Sequence, residues 1–129
     1  MSNVKLSKAS QEKLASVKPE LQKVILKAFE TMPFDVMVLE GIRTKARQEE
    51  LYAKGASKTM KSKHLTGDAV DLAPYPIDWS DKAKFRVMAE HVLAAANILN
   101  IKVRSGTDWD MDGDWKEEKF YDGPHIELL

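Results

Sequence analysis

The chain has 129 residues, 43% of them hydrophobic and 31% charged, with 20 basic residues against 20 acidic ones and no cysteine. That length suits one domain able to bury roughly two-thirds of its unfolded surface. The cancelled charge gives no basis for electrostatic capture of nucleic acid or an anionic membrane, and the lack of thiols rules out disulfides and thiolate metal sites.

In chain order, Leu6 to Val17 is predicted to form a short helix, and Pro19 restarts the chain at a favoured first-turn position. From Glu20 to Thr31 a second helix is expected, because Leu21, Val24, Ile25, Ala28 and Met32 recur at helical spacing and make one apolar stripe. Pro33 stops it. Val36 to Leu39 is apolar and rich in branched side chains, a buried strand ending at Glu40-Gly41. Thr44 is placed to cap a helix running to Lys54, with Gly55 as its terminator. Residues 55–63 form a lysine-rich loop, and residues 68–72 read as a strand that Pro74 and Pro76 bring to an end. Asp78 or Ser80 is expected to cap the clearest helix, Asp81 to Asn100, with Phe85, Met88, Ala89, Val92, Leu93, Ala96 and Leu99 on one face. His91 lies off that stripe and reads as a surface residue. Ile101 to Arg104 and residues 124–128 supply two more strands. The predicted fold is α+β, a small, mainly antiparallel sheet packed against helices, in a single domain spanning residues 1–129.

The chemistry concentrates in two stretches. The first is Ser62-Lys63-His64-Leu65-Thr66-Gly67-Asp68-Ala69-Val70-Asp71-Leu72. Gly67 breaks any helix between His64 and Asp71, so a turn entering a strand is expected. Alternation then sets Ala69 and Asp71 on one face and Val70 and Leu72 on the other. Val70 and Leu72 bury, Asp71 points back towards His64, and the small Ala69 leaves space. The second stretch is Tyr121-Asp122-Gly123-Pro124-His125-Ile126-Glu127-Leu128, in which His125 and Glu127 share one strand face. A catalytic zinc site uses three protein ligands and a water, and His64, Asp71 and His125 supply the three. Asp122, three residues before His125, is a carboxylate placed to act as general base towards an activated water. Glu127 reads as a partner that orients a ligand imidazole.

These blocks resemble the VanY-type zinc peptidases (peptidase family M15), which include D-alanyl-D-alanine carboxypeptidases and phage L-alanyl-D-glutamate endopeptidases. The carriers are the Ser-x-His-x-x-Gly-x-Ala-x-Asp pattern from Ser62 to Asp71 and the acidic residue three before the last histidine. A third block, Gly41-Ile42-Arg43-Thr44-Lys45-Ala46-Arg47-Gln48, is similar to the family's Gly-Tyr-Arg-Ser-x-x-x-Gln element, with Ile42 and Thr44 as departures. The resemblance runs from about Pro33 to the end and is nearest the small phage endolysins. It implies zinc held by His64, Asp71 and His125, with Asp122 as base where the family often has glutamate. It further implies that Arg43 steadies the oxyanion and that Gln48 and Ser62 contact substrate.

The substrate so implied is the peptidoglycan stem peptide, cut between L-alanine and D-glutamate to lyse a host cell. A D-alanyl-D-alanine carboxypeptidase is the nearest rival, and a non-catalytic zinc-stabilised binding module the rival of another class. The start of the chain has no apolar core of a secretory signal, and no run approaches the ~20 apolar residues of a membrane span. A monomer made in the host cytoplasm is therefore expected, with no attached cell-wall-binding domain and no stable membrane association, reaching the wall once the membrane is permeabilised. One further motif stands apart: Asp108, Asp110, Asp112 and Asp114 match the first half of a calcium loop, with Gly113 at the sixth position. The twelfth position is Lys119 rather than a bidentate glutamate, so calcium binding there and a plain acidic turn both stay open.

Overall fold

The computed structural model describes residues 6–55, 63–106 and 124–129. Three helices and a strand come first: α1 (Lys8–Ala15), α2 (Pro19–Phe29), β1 (Asp35–Glu40) and α3 (Lys45–Ala53). A 3-10 turn, Lys63–Thr66, leads into β2 (Ala69–Tyr75), followed by α4 (Lys82–Leu99), β3 (Val103–Ser105) and β4 (His125–Leu128). The four strands form one antiparallel sheet in the order β1-β2-β4-β3. The expected α+β architecture is the one found.

The helix ends follow local chemistry. The Ser7 and Thr44 hydroxyls accept from the backbone N–H groups of Ser10 and Arg47, capping α1 and α3. Pro19 opens α2. The cap of α4 differs from expectation: Asp81 accepts from Lys84 N–H, whereas Asp78 turns back to Ser80. A carboxylate three residues before its donor is at N-cap distance, and Asp78 and Ser80 satisfy each other first. At its far end α4 closes on Asn100 in the left-handed conformation, which asparagine tolerates.

The core is the apolar face of the sheet covered by helices. Leu21, Val24, Ile25, Ala28 and Phe29 of α2 meet Phe85, Met88, Val92 and Ala96 of α4, and α4 lies against β2 and β3 while α1 lies against β1. Each fully buried large side chain contributes about 1.5–3 kcal/mol. The α4 stripe shifts at its end, where Ala95 is buried and Leu99 is exposed, because the chain turns away at Asn100. Ile101 instead packs against the core.

Two features of the sheet position the polar face. First, β2 continues through Pro74 rather than ending there. Leu72 N–H donates to the Pro124 carbonyl on the β4 side, so Pro74, two residues on, turns its missing N–H to that same side, beyond the end of the pairing with β4. Second, β1 carries a bulge: Val38 pairs with Leu72, but Glu40 pairs with Asp71, leaving Leu39 as the extra residue. Regular alternation would have put Glu40 on the same face as Val38, the core face. The bulge turns it to the face that Asp71 shares.

Candidate metal centre

Directly opposed residues of an antiparallel pair share a face. Asp71 pairs with His125, Ala69 with Glu127, and Glu127 with Arg104. The polar face therefore carries two rows across the strands, Glu40–Asp71–His125 and Ala69–Glu127–Arg104. Ala69 is fully buried opposite Glu127.

His64 comes to this face from the 3-10 turn. Gly67 leaves that turn with φ of +79°, which favours glycine, and its carbonyl accepts from Lys18 N–H at 2.9 Å at the start of α2. Asp68 N–H closes back on the Lys63 carbonyl at 2.9 Å. His64 is buried. Its Nδ1 lies 2.9 Å from the Gly41 carbonyl, which only accepts, so Nδ1 carries the proton. Its Nε2 then points a lone pair to Asp71 Oδ1, 3.1 Å away.

His125 is arranged in the mirror sense. Its Nε2 donates to Glu127 Oε1 at 2.9 Å, and Nδ1 faces Asp71 Oδ1 at 3.3 Å. The two rings stand 5.2 Å apart, edge to face. One ligand atom each from His64, Asp71 and His125 lies within 4.8 Å of the others. With both imidazoles neutral, three electron pairs converge on one point with no proton between them. A cation satisfies that arrangement, and two imidazoles with a carboxylate are a donor set suited to zinc. Without an ion the imidazoles instead share protons with Asp71: burial alone would raise its carboxyl, but hydrogen bonds and charge from His125 and His64 outweigh it and hold the group well below the usual carboxylate range. Glu127 behaves alike: burial works against its charge, and hydrogen bonds from His125 and Arg104 bring it down to about 2.

Arg43 borders this cluster. Its backbone N–H donates to the His64 carbonyl at 2.8 Å, and its Nη2 lies 4.0 Å from Asp71 Oδ2. The guanidinium is held from behind: Nε contacts the Glu40 carboxylate and Nη1 donates to Gln48 Oε1 at 2.7 Å. Gln48 is fully buried, placed where it orients Arg43. Sequence reasoning missed Glu40, Arg104 and Lys63. For Arg104 a signal existed, since alternation from the inward Val103 sends it to the polar face. Ser62, Asp122 and the acidic residues Asp108, Asp110, Asp112 and Asp114 lie outside the described residues. His91 sits away from this face, its Nδ1 2.8 Å from the Thr31 hydroxyl.

Residues 1–129 match the family described as phage L-alanyl-D-glutamate peptidase. The L-alanyl-D-glutamate peptidase of Escherichia phage T5 is 44% identical over 134 residues, covering 97% of this chain and 98% of the relative. That of Listeria phage A118 is 34% identical over 129 residues, covering 95% of this chain and 40% of the longer relative. Among solved structures, the crystal structure of the Serratia marcescens L-Ala D-Glu endopeptidase ChiX superposes with a TM-score of 0.82 at 34% identity. It covers 97% of this chain and 90% of its own.

Proposed function

The chain belongs to the phage L-alanyl-D-glutamate peptidase family, and on that premise we propose that it is a zinc-dependent endolysin peptidase. Its substrate is the peptidoglycan stem peptide, cut between L-alanine and D-glutamate to lyse the host cell. The observation that carries this is the convergence of His64, Asp71 and His125 ligand atoms within 4.8 Å, with a guanidinium at its edge. Among the described residues no helix is long and apolar enough to cross a membrane. The whole chain acts as one catalytic domain on the cell wall, after the membrane has been permeabilised.

His64, Asp71 and His125 hold the ion. Zinc bound there supplies a Lewis acid that makes water nucleophilic at neutral pH and polarises the scissile carbonyl. Asp122, three residues before His125 in sequence, takes the proton from the attacking water and returns it to the leaving amine. Arg43 faces the carbonyl oxygen as negative charge develops on it, a preorganised donor of the kind worth several kcal/mol in a site closed to water. Glu40 and Gln48 hold that guanidinium fork in place, so Gln48 acts on substrate through Arg43. Ser62, two residues before His64, contacts substrate directly.

The test is digestion of purified muropeptides, with new termini identified by mass spectrometry. New L-alanine C-termini and D-glutamate N-termini are expected. Release of D-alanine alone would make the protein a carboxypeptidase, and no cleavage by zinc-loaded protein would leave a binding module. Alongside, Asp122→Ala should keep its zinc and lose lysis; full lysis by that variant would remove the proposed base.

A further inference from the structure

Two charged residues flank the candidate ligands in the chain. Lys63 immediately precedes His64, and Glu127 follows His125 by two on the same strand face. The elements that carry the two imidazoles are a turn of four residues and a strand of four residues, far apart in the chain. On the β1 side the turn is held by Arg43 N–H on the His64 carbonyl and by the Gly41 carbonyl on His64 Nδ1. It is closed by Asp68 N–H on the Lys63 carbonyl, one residue before β2. Towards β4, the Asp68 carbonyl accepts from Leu128 N–H at 2.8 Å, and from within the turn the Lys63 ammonium lies 3.3 Å from Glu127 Oε2 and also donates to the Leu128 carbonyl.

Glu127 is the other half of the connection. Oε1 accepts from His125 Nε2 at 2.9 Å, and Oε2 accepts from Arg104 Nη2 at 2.8 Å. The Glu127 side chain is only 7% exposed, so its charge is screened by these partners more than by water. From the Lys63 ammonium to the His125 ring the path runs through one carboxylate.

We infer that Lys63 and Glu127 form a strap that sets the distance and orientation of the two ligand imidazoles, both acting as positioning residues. The inference rests on reading His64, Asp71 and His125 as a zinc site. Glu127 fixes which His125 nitrogen is presented, since a charged acceptor on Nε2–H leaves Nδ1 as the ligand atom and increases its basicity. Lys63 makes the His64 turn move with that carboxylate. Arg104 supplies the same positive charge to Glu127, but from β3 and not from the turn. That contrast separates a strap from a simple counter-charge.

The experiment is Zn2+ affinity of the full chain, measured by competition with a chromophoric chelator. Wild type is compared with Lys63→Met, Lys63→Arg, Arg104→Met, Glu127→Gln and the Lys63→Met/Glu127→Gln double variant. Lys63→Met should bind Zn2+ about 10-fold or more weakly, within the range known for partners that orient metal ligands. Arg104→Met should lose clearly less, and Lys63→Arg should recover most of the affinity. The double variant should be no weaker than Glu127→Gln alone, because the two act as one unit. The visible spectrum of Co2+-loaded Lys63→Met should shift relative to wild type, reporting altered ligand geometry. Equal losses in Lys63→Met and Arg104→Met, strictly additive losses, or wild-type affinity in Lys63→Met would each overturn the strap while leaving the metal site standing. A wild-type chain that takes up no Zn2+ would instead remove the metal site, and the strap with it.

Discussion

The Gly41 carbonyl and His64 Nδ1 stand 2.9 Å apart, and this contact decides which nitrogen of His64 faces Asp71. Gly41 can occupy that position only because it has no side chain: a Cβ there would lie 2.1 Å from the Lys13 carbonyl oxygen and 2.3 Å from Ser16 Oγ. The end of α1 is locked at this point, since Ser16 Oγ also accepts from Ile42 N–H at 2.9 Å. Gly41→Ala should therefore push β1 away from α1, costing about 1–3 kcal/mol. For a chain of this size that is a fall of roughly 4–10 °C in Tm. It should also weaken Zn2+ binding, because the moved carbonyl no longer orients the ring. Calorimetry with and without Zn2+ checks both effects, and an unchanged Tm would show that α1 yields freely.

Removal of the metal should be visible as stability. An ion that binds only the folded chain stabilises it by RT ln(1 + [L]/Kd), about 4 kcal/mol at a thousandfold excess over Kd. Chelation should then lower Tm by on the order of 10 °C and abolish peptidase activity, with Zn2+ restoring both. In His64→Ala or His125→Ala the Zn2+-dependent part of the stability should vanish. A Tm indifferent to both chelator and Zn2+ would count against a metal at this face.

Arg43 is held on three sides: its backbone by the His64 carbonyl, its Nε by Glu40, its Nη1 by Gln48. Lysine at this position would keep the charge but lose the planar fork that these partners fit. Arg43→Lys should lower kcat by about 10²–10³-fold, the cost of one oxyanion donor, with zinc stoichiometry unchanged. Gln48→Leu should show a smaller loss in kcat, since Glu40 still holds the other edge of the guanidinium. Should Gln48→Leu change KM alone, Gln48 would be contacting substrate rather than orienting Arg43.

Much of this face could be read in the sequence because strand alternation is a strict rule. Once Val70 and Leu72 are buried, Asp71 must face away from the core, and Ile126 buries His125 and Glu127 onto the same polar face by the same logic. The α2 stripe from Leu21 to Ala28 followed helical spacing into the core for a similar reason, and Met32, just past the helix, is buried with it. What the sequence did not show were departures from periodicity and long-range pairings. The bulge at Leu39 inverts the face of Glu40, and nothing in Val-Met-Val-Leu-Glu signals the extra residue. Lys63 and Arg104 meet at Glu127 only because β4 lies between β2 and β3, an order that local pattern does not specify. The α4 cap was misplaced because Asp78, Ser80 and Asp81 are all competent caps, and the choice depends on how the preceding turn uses its own hydrogen bonds.

The turn that carries His64 should also show a dependence on acid. Asp68 lies 2.9 Å from the Lys18 ammonium, and it accepts from the Thr66 hydroxyl. The Thr66 hydrogen bond and then Lys18 hold its carboxyl below the ordinary 3.8. A carboxylate lowered on folding adds stability above its unfolded value and loses that addition as pH falls towards the folded value. Wild type should therefore exceed Asp68→Asn in stability at pH 7, by about 1–3 °C in Tm for a pair so exposed. The gap should narrow as pH drops below about 4, the ordinary aspartate range, and vanish once Asp68 is protonated in both states. It should shrink in high salt as well, since solvent ions screen an exposed pair. Chemical denaturation of zinc-free protein between pH 7 and pH 2 measures it without interference from the ligands. A gap that stayed constant over that range would mean that Asp68 serves the turn through its shape and not through its charge.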